Sequence, residues 1–464
     1  MTPVTARRTL LTLSFTRWFP VGLVVGVTTL LPLERGLTVA EALAAAAVTG
    51  FVVFALELPT SGFADAFGRR RVYLAAAVVQ IGAAILFTAA HSFWAFVLAS
   101  AAFGIFRALD SGPLEAWYVD TVHRTRRGTD TDISRALAAA GAVLGVSIAI
   151  GALIGGGLIW WHPVPAWSAL TLPYAVYAAL ACGHLVAVAL LMKEPPLREP
   201  SVADSSLTNP PVAGSPVTGS PAASPPPGNP PVGKPPASHP TATPRPLTVV
   251  SAGIHDTLAT IADGIRLLRT NRVLLGLVLV EVFWSLAMIV FETFQPIRLA
   301  EILAGTGAEN GEAAAGALNG PVTAVGWAVF AGGSALAGLA SPRLGVTRTA
   351  ILARVLNGLG AVVMGLVTGP AGLIAAYLFT YALHGSAGPM HSALLHREAE
   401  ARNRATVLSL NSMVAFGAFS VGAVALGQLA GTTSNQTAMV AAGALSVLGA
   451  FCYLPTLRRE RPPA

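Results

Sequence analysis

Glu57-Leu58-Pro59-Thr60-Ser61-Gly62-Phe63-Ala64-Asp65-Ala66-Phe67-Gly68-Arg69-Arg70-Arg71 closes one long apolar run and opens the next. Its glycines permit a tight turn. Three consecutive arginines are too costly to leave in hydrocarbon, so the stretch reads as a short cationic connection between two membrane-crossing helices. On either side lie apolar runs at 38 to 62 and 72 to 91, each matching the roughly 20 residues that a bilayer demands. Of the 464 residues, 54% are hydrophobic and 11% charged. Soluble domains carry about 25% charged residues, so this chain cannot clothe a water-soluble globule.

The same pattern recurs along the chain. Further runs lie near 10 to 32, 92 to 116, 134 to 161 and 166 to 192, then near 273 to 296, 320 to 342, 348 to 368, 370 to 393, 404 to 430 and 436 to 457. This predicts an all-α membrane protein of twelve transmembrane helices. Arginines fall at every other connection: Arg7 and Arg8, Arg69 to Arg71, Arg124 to Arg127, Arg343 and Arg348, Arg397 to Arg404, and Arg458 to Arg461. The alternate connections carry only Arg35 and Arg298. Cationic loops stay in the cytoplasm, so both termini are expected there, with Trp160, Trp161 and Trp167 at the outer interface. The first run is of span length and lacks a small-residue cleavage site, which argues against a cleaved signal peptide. A formal charge of +7 follows from this topology and from anionic lipid on the inner leaflet, and requires no nucleic acid. Cys182 and Cys452 lie inside apolar runs and read as buried small hydrophobes without a disulfide or metal framework.

Composition changes abruptly in the middle. Between 195 and 246 fall 17 of the 33 prolines, mixed with Ser, Gly, Ala and Thr; residues 195 to 250 therefore read as a Pro-rich, disordered cytoplasmic tether that cannot bury enough apolar surface to fold. Residues 251 to 272 place Ile254, Leu258, Ile261, Ile265 and Leu268 at helical spacing, with Arg266, Arg269 and Arg272 near the end. This segment reads as an amphipathic cytoplasmic helix on the membrane surface or the bundle. Residues 1 to 194 and 273 to 464 become two six-helix halves. A shift of 264 superposes Arg8, Leu10, Leu11, Phe19 and Pro32 on Arg272, Leu274, Leu275, Phe283 and Pro296. Gly112-Pro113 likewise matches Gly388-Pro389, and Arg135-Ala136 matches Arg404-Ala405. A repeat of this kind lets a site between the halves face each side in turn.

The turn quoted at the outset is similar to the signature of the major facilitator superfamily, G-x-x-x-D-R-x-G-R-R between the second and third helices, in the variant preceded by E-x-P-T. It agrees in Asp65, Gly68, Arg69 and Arg70. It departs at Ser61, where the first glycine is usual and Gly62 comes one position late, and at Ala66, where a basic residue is usual. The resemblance implies that family's fold, two pseudo-symmetric six-helix halves, and a conformational switch built from Gly62, Asp65, Gly68, Arg69, Arg70 and Asp120. In that switch Asp65 meets the positive end of the eleventh helix near Asn403 to Thr406, and Arg69 pairs with Asp120 at the end of the fourth. Gly151 to Gly156 resembles the exporters' fifth-helix motif G-P-x-x-G-G, with Ala152 in place of proline; glycines four apart also serve plain helix packing.

The fourth span holds Arg107, Asp110 and Glu115. Arginine or aspartate at a helix centre costs about 2.5–3.5 kcal/mol, so these groups must face a cavity or each other. At about 100° per residue, Arg107, Asp110, Ser111 and Glu115 share roughly 140° of arc. An Arg107–Asp110 salt bridge at i, i+3 is the structural alternative. The run is similar to the superfamily's fourth-helix motif, which is associated with proton coupling. Other ionisable residues inside spans are Arg17, His184, Glu281, Glu292, His384 and His391. The repeat relates Arg17 to Glu281 and Glu115 to His391, and the spacing of eleven puts Glu281 and Glu292 on one helix face. Burial disfavours the charged form of a carboxylate, so such a group can load a proton on one side and release it on the other.

The favoured reading is a secondary transporter, a proton-coupled exporter of small amphipathic or cationic compounds resembling the superfamily's drug:proton antiporters. Arg107, Asp110, Glu115 and Glu281 are the proton-coupling candidates, and Arg17, Trp18, Phe19, Trp284 and His391 the substrate-cavity candidates. The implied partners are a small-molecule substrate, protons and membrane lipid, with no cofactor and no metal, for a monomer in a bacterial plasma membrane. The alternatives are an importer or metabolite transporter of the same fold, and, more remotely, a non-transporting sensor. With no H-E-x-x-H run, cysteine cluster or phosphate-cradling loop, the sequence disfavours an enzyme.

Overall fold

The computed structural model describes residues 1–124, 130–193, 262, 264–400 and 403–460; among them are helices and no strand. In the first half these are α1 (Pro3–Val25), α2 (Leu30–Glu34), α3 (Val39–Phe67), α4 (Arg69–Ala89), α5 (Phe93–Asp110), α6 (Pro113–Arg124), α7 (Asp130–Trp161) and α8 (Leu172–Leu191). A short α9 at 264–270 leads into α10 (Arg272–Ile289), a π-helical turn at Val290–Phe294 and α11 (Gln295–Gly305). Then follow α12 (Gly311–Leu344), α13 (Val346–Leu366), α14 (Pro370–Glu398), α15 (Arg404–Thr432), α16 (Asn435–Val447) and α17 (Leu454–Arg459). Joined end to end, these pieces make twelve rods in two sets of six. Ten are long and apolar enough to cross a membrane by length and composition. The other two are the rods of α1, which carries Arg7, Arg8 and Arg17, and of α14, which carries His384, His391, His396 and Arg397.

Polar caps start many of the apolar helices. Thr38 and Glu41 form a reciprocal capping box on α3, and Asn271, Asn310 and Ser434 accept backbone hydrogen bonds at the starts of α10, α12 and α16. Several helices run past the apolar stretch that announces them; α1 begins at Pro3, ahead of the apolar run, because Thr2 caps it and proline is favoured in a first turn.

Among the described residues four rods depart from continuous α-helix, the twelfth through a 3₁₀ segment at Leu448–Tyr453. The first breaks at Gly26, the fourth at Ser111–Gly112, where Gly112 has φ +89°, and the seventh at the π-helical turn. Irregular backbone inside a membrane persists only where it is buried in protein or lines a cavity, so these breaks mark the region of interest. The expectation of one continuous fourth helix is corrected here. Glu115 sits in the first turn of the new helix α6, not further along α5.

Two symmetric features recur in the two sets of six. The turns between the second and third rods and between the eighth and ninth are made by Gly68 and Gly345, with φ, ψ of 90°, 140° and 86°, 146°. Only glycine occupies this region cheaply. Gly68→Ala or Gly345→Ala is expected to cost about 1–3 kcal/mol, read as a lower melting temperature in detergent. Gly82→Ala, in open space within α4, should cost nothing. Arg35 and Arg298, the arginines on the face away from Gly68, are not free loop charges. Arg35 donates to Phe87, Thr88 and Ala90 carbonyls at the end of α4, and Arg298 to Val367 just past α13 as well as to Glu301. Cations at helix C-termini are favourable.

Packing distinguishes the two faces. On the face opposite the arginine-rich turns, residues of both halves share one apolar core, Leu23, Leu43 and Phe96 with Phe291, Met364 and Ala423. On the arginine-rich face each half keeps its own: Leu10, Trp117 and Val188 in one, Leu274, Ala350 and Leu394 in the other. The chain is thus closed on the opposite face. Gly156 of α7 and Gly320 of α12 cross so tightly that a Cβ on either would lie 2.8 Å from the other's Cα. Nearby, Gln295 donates to Asn319 (3.1 Å), and Asn319 donates to the Gly26 carbonyl (3.4 Å), tying the seventh, eighth and first rods.

α9 packs on the bundle, with Gly264 against Thr406 and Leu410, and Leu267 and Leu268 on the second half's core. Residues 195 to 250, the expected tether, lie outside the described residues. Cys182 and Cys452 are free thiols, and Cys182 is exposed on the surface of α8, contrary to the expectation of burial, because that side of α8 faces away from the bundle.

Candidate functional site

Two cavities occupy the middle of the bundle. One, of about 300 Å³, opens among α1, α3, α4, α5, α6 and α15 and is polar: Arg17, Glu57, Tyr73, Asp110, Ser111, Glu115 and Ser412 line it. The other, of about 320 Å³, lies toward the opposite face and is aromatic: Phe87, Phe96, Phe103, Tyr174 and Phe419 line it, with Glu292 and the hydroxyls of Thr28, Thr49 and Ser100. Arg107 and Phe416 line both. The Arg107 guanidinium lies 5.5 Å from the centre of the Phe416 ring, a cation–π contact across the two halves. It forms the septum between the cavities, with Glu57 on one side and Glu292 on the other.

Asp110 pairs with Arg17 of the first rod, not with Arg107. Arg17 donates through Nη2 and Nε to the same Oδ2, at 2.7 and 2.8 Å, and the side chains are 5% and 12% exposed. The i, i+3 bridge within the fourth rod is therefore corrected. The backbone leaves helical geometry at Ser111–Gly112, and Asp110, at the last turn of α5, reaches a stronger partner across the bundle. The Arg17 guanidinium also lies over the rings of Trp18 (4.5 Å) and Phe106 (4.2 Å). Beside it, Thr16 and His184 Nδ1 are 2.8 Å apart, and Tyr73 meets the His184 ring edge-on.

The second half holds a corresponding pair between its first and fourth rods. His391 Nε2 is 3.0 Å from Glu281 Oε1, His391 Nδ1 is 3.0 Å from the Tyr453 hydroxyl, and Asn411 donates to Glu281 at 3.4 Å. Glu281 and His391 are almost wholly buried and line neither central cavity. Trp284 is stacked on His384 (5.1 Å) and under Arg354 (4.5 Å), in packed surroundings away from both. Phe19 stacks on Phe15 at 5.3 Å and lines neither cavity. Among the substrate-cavity candidates, then, Arg17 and Trp18 line a cavity, and Phe19, Trp284 and His391 do not. Among the proton-coupling candidates, Arg107, Asp110 and Glu115 line one, and Glu281 does not. Glu292 does. Glu281 and Glu292 lie about three turns apart along the seventh rod, which leaves one in packed surroundings and brings the other to the aromatic cavity.

At the arginine-rich face, Arg69 Nε lies 2.7 Å from Asp120 Oδ2, and Arg70 donates to the Ala189 carbonyl near the end of α8. The side chains of Gly62 and Asp65 lie outside the described residues. The second half has its own network here, with Arg397 on Glu460 (2.5 Å) and Arg459 on Glu398 (2.7 Å). The glycines of α7 act in packing in this conformer: a Cβ on Gly151 would lie 2.3 Å from the Phe19 carbonyl, and one on Gly155 2.4 Å from that of Leu23. Arg354 escapes the sequence reading although the rule that singles out Arg17, an arginine deep in an apolar run, applies to it equally. Tyr73, Asn411 and Phe416 carry no such signal.

Two six-rod halves, broken helices at mid-depth and ionisable side chains around central cavities are the architecture of a multi-pass secondary transporter. The comparisons agree. Residues 10–386 match the sequence model of the Major Facilitator Superfamily, and the chain belongs to that family. Among solved structures, the nucleoside transporter NupG is similar with a TM-score of 0.70 at 12% identity, covering 98% of this chain and 99% of that one. A POT family transporter in complex with 5-aminolevulinic acid is similar with a TM-score of 0.65 at 14% identity, covering 98% and 96%. No curated sequence matches.

Proposed function

We propose that the protein is a proton-coupled exporter of small amphipathic compounds bearing a cationic group, working by alternating access as a monomer in a bacterial plasma membrane, with its arginine-rich face in the cytoplasm. The observation that carries this reading is the pair of cavities, one polar and acidic, one aromatic, with Arg107 and Phe416 lining both. An aromatic cation suits both: its ring suits Phe87, Phe96 and Phe103, and its charge suits Glu115 or Glu292. Protons and cargo compete for the same carboxylates, so loading one releases the other. Export is the direction that the glycine run of α7 resembles.

The test uses inside-out and right-side-out vesicles, an aromatic cationic dye and an imposed pH gradient. Inside-out vesicles with an acidic lumen should accumulate the dye, an uncoupler should abolish this, and Glu292→Gln should lower the rate at least tenfold. Gradient-driven accumulation in right-side-out vesicles alone would establish import. No gradient-dependent movement in either would defeat the reading.

A further inference from the structure

Arg17 and Tyr73 are buried, at 4% and 2% exposure, and both line the polar cavity. Each has a donor without an acceptor: Arg17 Nη1 and the Tyr73 hydroxyl. Arg17 spends its other two nitrogens on one oxygen of Asp110, and the Trp18 and Phe106 rings flank the guanidinium. It is therefore held in a fixed orientation with the whole Nη1 amino group left over. A buried donor without a partner is unfavourable, and such atoms in native proteins are rare enough to require an explanation. Two of them on side chains that line one cavity have a common explanation: the missing acceptor arrives with the ligand. The cavity's own carboxylates, Glu57 and Glu115, do not bond to either donor and remain as acceptors for a cation.

We propose that Arg17 and Tyr73 form a subsite for a carboxylate of the cargo, so that the transported compound is an amphipathic zwitterion whose ammonium group faces Glu115. This rests on the transport reading and narrows its substrate class. A guanidinium N–H and a phenolic O–H together offer two donors to a carboxylate's two oxygens, and the bond from arginine is charge-assisted. A simple lipophilic cation leaves both donors unmet.

The experiment is competition with the dye in the same vesicles, using aromatic amino acids, each compared with its amide, which keeps the ammonium and lacks the carboxylate. The zwitterions should compete at least tenfold better than the amides. Tyr73→Phe removes only an unpaired hydroxyl, so its melting temperature should not fall. It should weaken the zwitterions by about tenfold, since a hydrogen bond to a charged group is worth that much or more, and leave the amides within about twofold. Equal competition by acid and amide, equal weakening of both, or competition by neither overturns the subsite, the two donors then serving water alone. Dye transport that persists in those cases leaves the transporter reading standing, whereas a dye that never moves defeats that reading itself.

Discussion

Asp110→Asn is expected to abolish gradient-driven dye transport and to lower the melting temperature of the purified protein more than any other single change in the polar cavity. Arg17 keeps its charge under all conditions of interest, and Asp110 is the group bonded to it. Removing one partner of a buried pair leaves an uncompensated charge and costs about 3–5 kcal/mol. The destabilisation and the loss of function have different causes, and a second variant separates them. Replacing both partners, Arg17→Met with Asp110→Leu, removes both desolvation penalties and is expected to restore most of the stability. It cannot restore transport, because the cavity has lost its fixed dipole and keeps only Glu57 and Glu115 of its three carboxylates. A double variant that transports at the native rate would show that the pair is only a strut. A single variant with native stability would show that Arg17 finds another counter-ion.

Much of this architecture is legible in the sequence because hydrocarbon imposes a simple rule: about 20 apolar residues per crossing, with cations at alternate ends. The twelve runs come from that rule. The relation of Arg17 to Glu281 is legible through the repeat, and each of them proves to be paired between the first and fourth rods of its own half. What resists reading is partner choice and depth along a rod. Asp110 has Arg107 within its own helix and takes Arg17, 93 residues away, just before the chain breaks at Gly112. The combination of Gly112 and Pro113, a glycine stop followed by a proline start, signals that break in principle. The π-helical turn has no comparable signature, and no local pattern tells Glu292, which lines a cavity, from Glu281, which lines neither. The aromatic septum at Phe416 depends on how two halves meet, which no local pattern encodes.

Gly156→Leu is expected to hold the face opposite the arginines open and to stop turnover while leaving each half folded. A Cβ at this position would lie 2.6 Å from the Ala317 carbonyl oxygen and 2.8 Å from Gly320 Cα, backbone atoms that cannot step aside. The contact joins α7 of one half to α12 of the other, so the clash is relieved by separating the halves. Gly151→Leu differs in kind, because its neighbours, Gly22 and the Phe19 carbonyl, belong to its own half, and that variant should melt earlier without favouring either state. Overpacking of this sort costs about 1–3 kcal/mol, enough to shift a two-state equilibrium about 5- to 150-fold. The measurement is labelling of a cysteine placed at Thr28, which lines the aromatic cavity, by an impermeant thiol reagent, after Cys182 and Cys452 are replaced by alanine. Labelling should rise in Gly156→Leu and not in Gly151→Leu. Equal labelling in both would mean that the crossing at Gly156 and Gly320 is not where the halves part.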